Sequence, residues 1–132
     1  MNKRYQPPIS GHESILDWEK SVKLANNNSQ LAKEMLQMLL TELPDVYAAI
    51  IAKHRTNDWV GLYELIHRIH GAACYCGVPR LQSVLSKIEN NLKMNNTSHI
   101  DQYIDILSTE INLLQTTVAK NDLLKGEHAN DK

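Results

Sequence analysis

The sequence predicts an all-α protein, an antiparallel up-down-up-down four-helix bundle with a short additional N-terminal helix. Three observations carry this expectation. No sustained period-two alternation marks a strand anywhere in the 132 residues. Apolar residues instead recur at spacings of three and four, the signature of one helix face. Clusters of turn-forming residues, Asn26-Asn27-Asn28, Gly77 with Pro79, and Asn95-Asn96-Thr97-Ser98, cut the periodic stretches into segments. Links this short favour antiparallel neighbours.

Each element has its own signals. Asp17 reads as the N-cap of a short helix that ends near Ala25 at the asparagine run and lids one end of the bundle. Ser29 then caps a long helix to about Arg55, with a core stripe of Leu36, Leu39, Leu40, Leu43, Tyr47, Ile50 and Ile51. Pro44 lies inside it, which predicts a bend near Leu40 rather than a break. The third long segment runs from about Asp58, capped by Asn57 or Asp58, to Tyr75, where Gly77 and Pro79 stop it. Its buried face comprises Trp59, Leu62, Ile66, Ile69, Ala73 and Cys76, widened by Leu65 and Ala72. From Arg80 to about Asn91 the stripe is Leu81, Val84, Leu85, Ile88 and Leu92. Ser98 caps a last helix from His99 to about Asn121, presenting Tyr103, Ile104, Leu107, Ile111, Leu114 and Val118. Residues 14–121 therefore make one domain, with a flexible segment or linker at 1–13 and a loose tail at 122–132.

Composition excludes several functions. With 14 basic against 15 acidic residues and a net charge of −1, the chain has no cationic field for nucleic acid. No run of about 18 apolar residues argues for a membrane span, and the start of the chain carries Pro7 and Pro8 in place of an apolar signal region. Cys74 and Cys76 point to opposite sides of a helix, so an internal disulfide is poor and reduced thiols fit a cytoplasmic protein. A glycine-rich phosphate loop and a G-x-S-x-G elbow are both missing, which disfavours a kinase, a GTPase or a hydrolase.

The chemistry concentrates around His67. On the wheel of its helix this residue falls roughly 160° from the centre of the buried face, and His70 about 100° from it. His67 therefore points at solvent. Gly71 also sits on the outer side, where Ala would favour a helix by about 1 kcal/mol, so the bare backbone suits an approaching partner. An exposed neutral imidazole is a good nucleophile near neutral pH and can accept a phosphoryl group and pass it on. An outward histidine can equally be decorative. Two further readings use the same surface. His67, His70 and Cys74 share one face at i, i+3 and i+7 and could contribute to a transition-metal site, although a fourth ligand is not evident. A plain helical interaction module would instead use Trp18, Leu24 and a methionine flank, with no chemistry at His67.

The stretch His67-Arg68-Ile69-His70-Gly71-Ala72-Ala73 resembles the H-x-hydrophobic-K-G-small-small signature of histidine-containing phosphotransfer (HPt) domains. Leu16-Asp17-Trp18, the run Met35 to Leu40 ending in Leu43-Pro44, and Tyr75 to Arg80 are similar to the HPt domain that ends hybrid sensor kinases of the BarA/GacS type. The resemblance covers about Leu16 to about Ala119. It implies a four-helix carrier with no kinase activity of its own, in which His67 is the phosphoacceptor and Gly71 the signature glycine. His70 stands where the family usually has lysine, a residue that steadies phosphoryl oxygens; histidine does this only as a hydrogen-bond donor or when protonated.

The resemblance further implies receiver domains of a hybrid sensor kinase and of a response regulator as partners. Mg²⁺ then sits in the receiver's acidic pocket and no cofactor on this chain, which is expected to be a monomer. Glu89 lies where some HPt domains carry a glutamine bonded to the active imidazole, and a carboxylate there could hold the ring's other N–H. Its helix is also rich in polar outer positions, on which reading Glu89 is a solvated side chain. Arg68, outward as well, could pair with phosphate or an acidic receiver rim. Leu31, Met35 and Met38, on the flank of the long helix, offer an adaptable apolar docking surface, unless the first helix buries them.

Overall fold

Short polar side chains start most of the helices. Residues 13–121 are described by a computed structural model, and they form α1 (Trp18–Leu24), α2 (Ser29–Arg55), α3 (Trp59–Ala73), α4 (Pro79–Lys93) and α5 (Ile100–Asn121). The Asp17, Asn28 and Asp58 side chains accept from the backbone N–H groups of Lys20, Leu31 and Gly61, which would otherwise lack a partner. The cap of α2 is thus Asn28 and not Ser29, because Asn26 and Asn27 take left-handed backbone angles and leave Asn28 extended at the helix entrance. Pro79 occupies the first turn of α4, where its missing N–H is no loss, so α4 starts earlier than Arg80.

Two other boundaries also differ from expectation. α3 stops at Ala73, two residues short of Tyr75, as the chain winds into the turn that places Gly77 at φ +58°. Ser98 donates its hydroxyl to Asn96 Oδ1 instead of capping, and α5 begins at Ile100. α2 runs unbroken through the exposed Pro44 for 27 residues. By length and composition it could cross a membrane, a test that the core helix of a soluble bundle also passes.

The apolar stripes then close a ring. α2 packs on α3 and α5, α4 packs on the same two, and α1 lies on α2. One continuous core results, centred on Leu36, Leu43, Ile50, Leu62, Ile66, Ile69, Leu85, Ile88, Ile104 and Leu107. The stripes are narrower at the edges than the sequence suggests. Leu40, Tyr47, Ile51, Trp59, Leu65, Ala72 and Tyr103 are only half-buried, whereas Ala32, Val46, Ile100 and Ile106 are buried. A helix that faces two neighbours places its stripe-edge residues at their rims, where a large side chain stays partly wet; the Tyr47 hydroxyl, for instance, reaches out to the Ile104 carbonyl at 3.4 Å.

Polar contacts lock the joints. Arg80 makes a two-pronged pair with Glu110, Nε to Oε1 at 3.1 Å and a terminal nitrogen to Oε2 at 2.8 Å, tying the start of α4 to the middle of α5. α1 docks on the α3–α4 turn, as its expected lid role requires. The Asp17 N–H donates to the Gly77 carbonyl at 2.9 Å and the buried Ser21 hydroxyl to the Cys76 carbonyl at 3.1 Å. The linker expected at 1–13 and the tail expected at 122–132 lie outside the described residues, apart from Glu13, which accepts from the Ser83 hydroxyl at 3.2 Å.

Gly77 is the tightest point of this joint. A Cβ there would stand 2.6 Å from the Asp17 carbonyl oxygen and 2.8 Å from the Ser21 nitrogen, on top of a left-handed φ. Gly77→Ala is expected to destabilise the domain by about 1–3 kcal/mol. A lowered urea midpoint at unchanged slope is the result that checks it.

Candidate functional site

The middle of α3 puts Tyr63, His67 and Gly71 in one row at four-residue spacing, with His70 a turn fraction away toward α4. His67 is on the outside, its side chain 66% exposed, and His70 is partly covered. α4 runs alongside and brings Glu89 from the flank of its own apolar stripe, one position past Ile88. Glu89 is only 7% exposed, so its solvated reading is overturned. The α3–α4 contact covers that flank, and the carboxylate is turned into the seam.

Both carboxylate oxygens are used. Glu89 Oε2 lies 2.8 Å from Nδ1 of His67 and Oε1 lies 2.7 Å from Nδ1 of His70. Burial would push the Glu89 carboxyl up, but the hydrogen bonds and charges of the two histidines outweigh it and hold the group below the usual carboxylate range. Glu89 is therefore ionised at neutral pH and can only accept. Both Nδ1 atoms must carry the hydrogens. In the neutral form of the His67 ring this leaves Nε2 with the lone pair.

Tyr63 completes the cluster, a role that no pattern in the sequence assigns to it. Its ring stacks on the His67 imidazole, with centroids 5.6 Å apart and planes 16° off parallel, and its hydroxyl donates to Glu89 Oε2 at 3.5 Å. The only signal in the sequence was an aromatic residue four positions before the histidine. Gly71 is exposed, and a Cβ built on it meets nothing within 4 Å. Nothing in the fold itself requires glycine at this point.

The other predicted residues spread around this centre. Arg68 is exposed next to His67. Leu31 and Met38 are exposed, the latter at 64%, while Met35 is half-buried against the core. Met35 and Met38 line a largely apolar groove of 160 Å³ with Leu39, Ala72, Tyr75 and Cys76, and Glu42 of α2 is its one charged lining residue among those described. Tyr75, also well exposed, is a second residue the sequence reading did not assign to this surface. His67, His70 and Cys74 do not assemble as metal ligands. Two of their nitrogens are engaged by Glu89, Cys74 Sγ accepts from Gln82 Nε2 at 3.5 Å, and no group of three ligating side chains suited to an ion is found among the described residues. Burial pushes the Cys76 thiol up to about 11, so it remains a thiol and packs as a small apolar group.

The lowered Glu89 carboxyl has a stability consequence. Relative to the ordinary value of 4.5, a depressed folded-state value adds stability above that pH, and the contribution disappears as pH falls through the folded value. As pH falls below the ordinary carboxyl value of 4.5, wild-type stability is expected to fall more steeply than that of Glu89→Gln. Urea titrations at several pH values measure the two slopes, and parallel slopes would contradict the ionised bridge.

Comparison with known proteins bears on the family and the fold. The Hpt domain family model matches residues 34–117. Sensor protein GacS of Pseudomonas syringae pv. syringae is 39% identical over 97 residues, 74% of this chain and 11% of that protein. The signal transduction histidine-protein kinase BarA of Escherichia coli strain K12 is 38% identical over 80 residues, 61% of this chain and 9% of that protein. The chain thus spans about a tenth of the length of these curated relatives. A crystal structure of the HPT domain from a Shewanella sensor hybrid histidine kinase superposes with a TM-score of 0.67 at 33% identity, covering 80% of this chain and 95% of the other. Matched in sequence over most of its helical core and in fold over nearly all of a solved relative, the chain belongs to the Hpt domain family.

Proposed function

We propose that this Hpt domain acts as a phosphorelay intermediate of two-component signalling by carrying the phosphoryl group on Nε2 of His67. One observation carries the reading: an exposed imidazole whose Nδ1–H is held by a buried carboxylate. The lone pair of Nε2 attacks the phosphorus of a receiver's aspartyl phosphate. As the N–P bond forms, the P–O bond to the aspartate breaks and the leaving carboxylate keeps the electron pair. The ring then bears a phosphoryl group on Nε2 and a hydrogen on Nδ1, and so gains positive charge. Glu89 is placed to offset that charge through the bond it already makes. Transfer to the next receiver runs the same step backwards. The domain contributes position and charge, which suits a carrier rather than a kinase.

The partners in this reading are receiver domains, one of a hybrid sensor kinase and one of a response regulator. They supply the Mg²⁺ in their own acidic pockets, and this chain contributes no cofactor. The apolar groove lined by Met35, Met38 and Tyr75, with Leu31 exposed on the same helix as the methionines, is the docking surface, and its flexible methionines suit two receivers that bind in turn. Gly71, next to groove residue Ala72, leaves the backbone bare where the receiver must close on His67. Arg68, exposed and next to His67 in the sequence, is a pairing group for phosphate or an acidic rim. The domain works as a monomer in the cytoplasm, at 14–121 of this chain, with 1–13 and 122–132 as its flanks.

Incubation with a phosphorylated receiver tests the assignment. Wild type is expected to acquire acid-labile, alkali-stable label, His67→Gln none above background, and His70→Gln a reduced amount; equal labelling of His67→Gln and wild type would refute it. Gly71→Ala is expected to separate stability from function, since it adds up to about 1 kcal/mol to the helix while slowing label transfer. Paired urea midpoints and transfer rates show both effects.

A further inference from the structure

We infer that His70 is a positioning residue that acts on His67 through Glu89, and does not reach the phosphoryl group. The inference rests on His67 being the reacting ring and concerns how that ring is kept in one tautomer. A free neutral imidazole distributes its hydrogen between Nδ1 and Nε2, and only the Nδ1–H form offers Nε2 as the nucleophile. What selects that form is Glu89 Oε2, 2.8 Å away. The carboxylate must therefore be held with this oxygen toward His67, although its own side chain has three rotatable torsions.

His70 supplies the hold. Its Nδ1 lies 2.7 Å from Oε1, the shorter of the two contacts, and occupies the oxygen that His67 does not use. Carboxylate and both rings are then fixed as one unit, and the more covered ring, His70, is the anchor of the more exposed one. A side chain engaged in this way has its Nδ1–H directed into the α3–α4 seam. His70 also lines a cavity of 620 Å³ with Lys20, Cys74, Gln82, Ser83 and Lys87, a cavity that His67 does not line. The position one turn from the acceptor thus works on the back of the reacting ring.

The two ring nitrogens allow a direct test, because asparagine places an amide N–H where Nδ1 stood and glutamine places one where Nε2 stood. Ring ¹⁵N shifts of His67 in the otherwise intact protein report its tautomer without any partner. Expected are a dominant Nδ1–H form in wild type and in His70→Asn, and a several-fold rise of the Nε2–H form in His70→Gln and His70→Ala. Label acceptance from a phosphorylated receiver should follow the same order, with His70→Asn above His70→Gln. An unchanged His67 tautomer in His70→Gln and His70→Ala, or transfer retained by glutamine and lost with asparagine, overturns the inference. Failure of the underlying reading looks different: His67→Gln would still take label, whatever the tautomer does.

Discussion

Everything at the site depends on one buried carboxylate shared by two imidazoles. A half-satisfied ionised glutamate in a helix seam would be costly, and Glu89 is tolerable there because both of its oxygens accept from ring N–H groups. The same two bonds do the chemical preparation. In the proposed role they fix the tautomer of His67, leave Nε2 free as the nucleophile, and put a negative charge where the ring would become positive on phosphorylation. Packing and reactivity are here the same interaction seen from two sides.

That interaction needs α3 and α4 held in register, and the rest of the bundle provides it. Gly77 makes the tight turn between them and is clamped by α1 through Asp17 and Ser21. Arg80 and the deeply buried Glu110 fix the beginning of α4 against α5. The apolar ring of α2, α3, α4 and α5 does the rest, since a close-packed core transmits position with little play. On the proposed reading, a carrier that meets more than one receiver gains from such stiffness, because the His67 ring stays put while adaptable side chains at the groove, Met35 and Met38, would accommodate the visitor.

Gly71 makes the division between folding and function visible. Its backbone is ordinary helix, and the space beside it is open. Stability alone would prefer alanine, so nothing in the fold accounts for glycine here, and the proposed role gives the reason as a partner that closes over His67. Gly77 is the opposite case, required by a left-handed φ and by two backbone atoms within 3 Å of any added Cβ.

Period alone fixed much of this protein. The all-α class, the outward His67 and the half-covered His70 follow from a 3.6-residue repeat, because the angle between two positions on one helix is set locally. Asp17 and Asp58 could be read as caps for the same reason, whereas Asn28 caps where Ser29 was expected and Ser98 does not cap, because neighbouring asparagines and serines offer equivalent acceptors, among which only the path of the turn chooses. Glu89 and Tyr63 mark the limit. Twenty-two residues of chain separate Glu89 from His67, and no local pattern says which flank of α4 faces α3; burial in that seam, decided by how the four helices pack, turned an ambiguous glutamate into the group that orients both histidines.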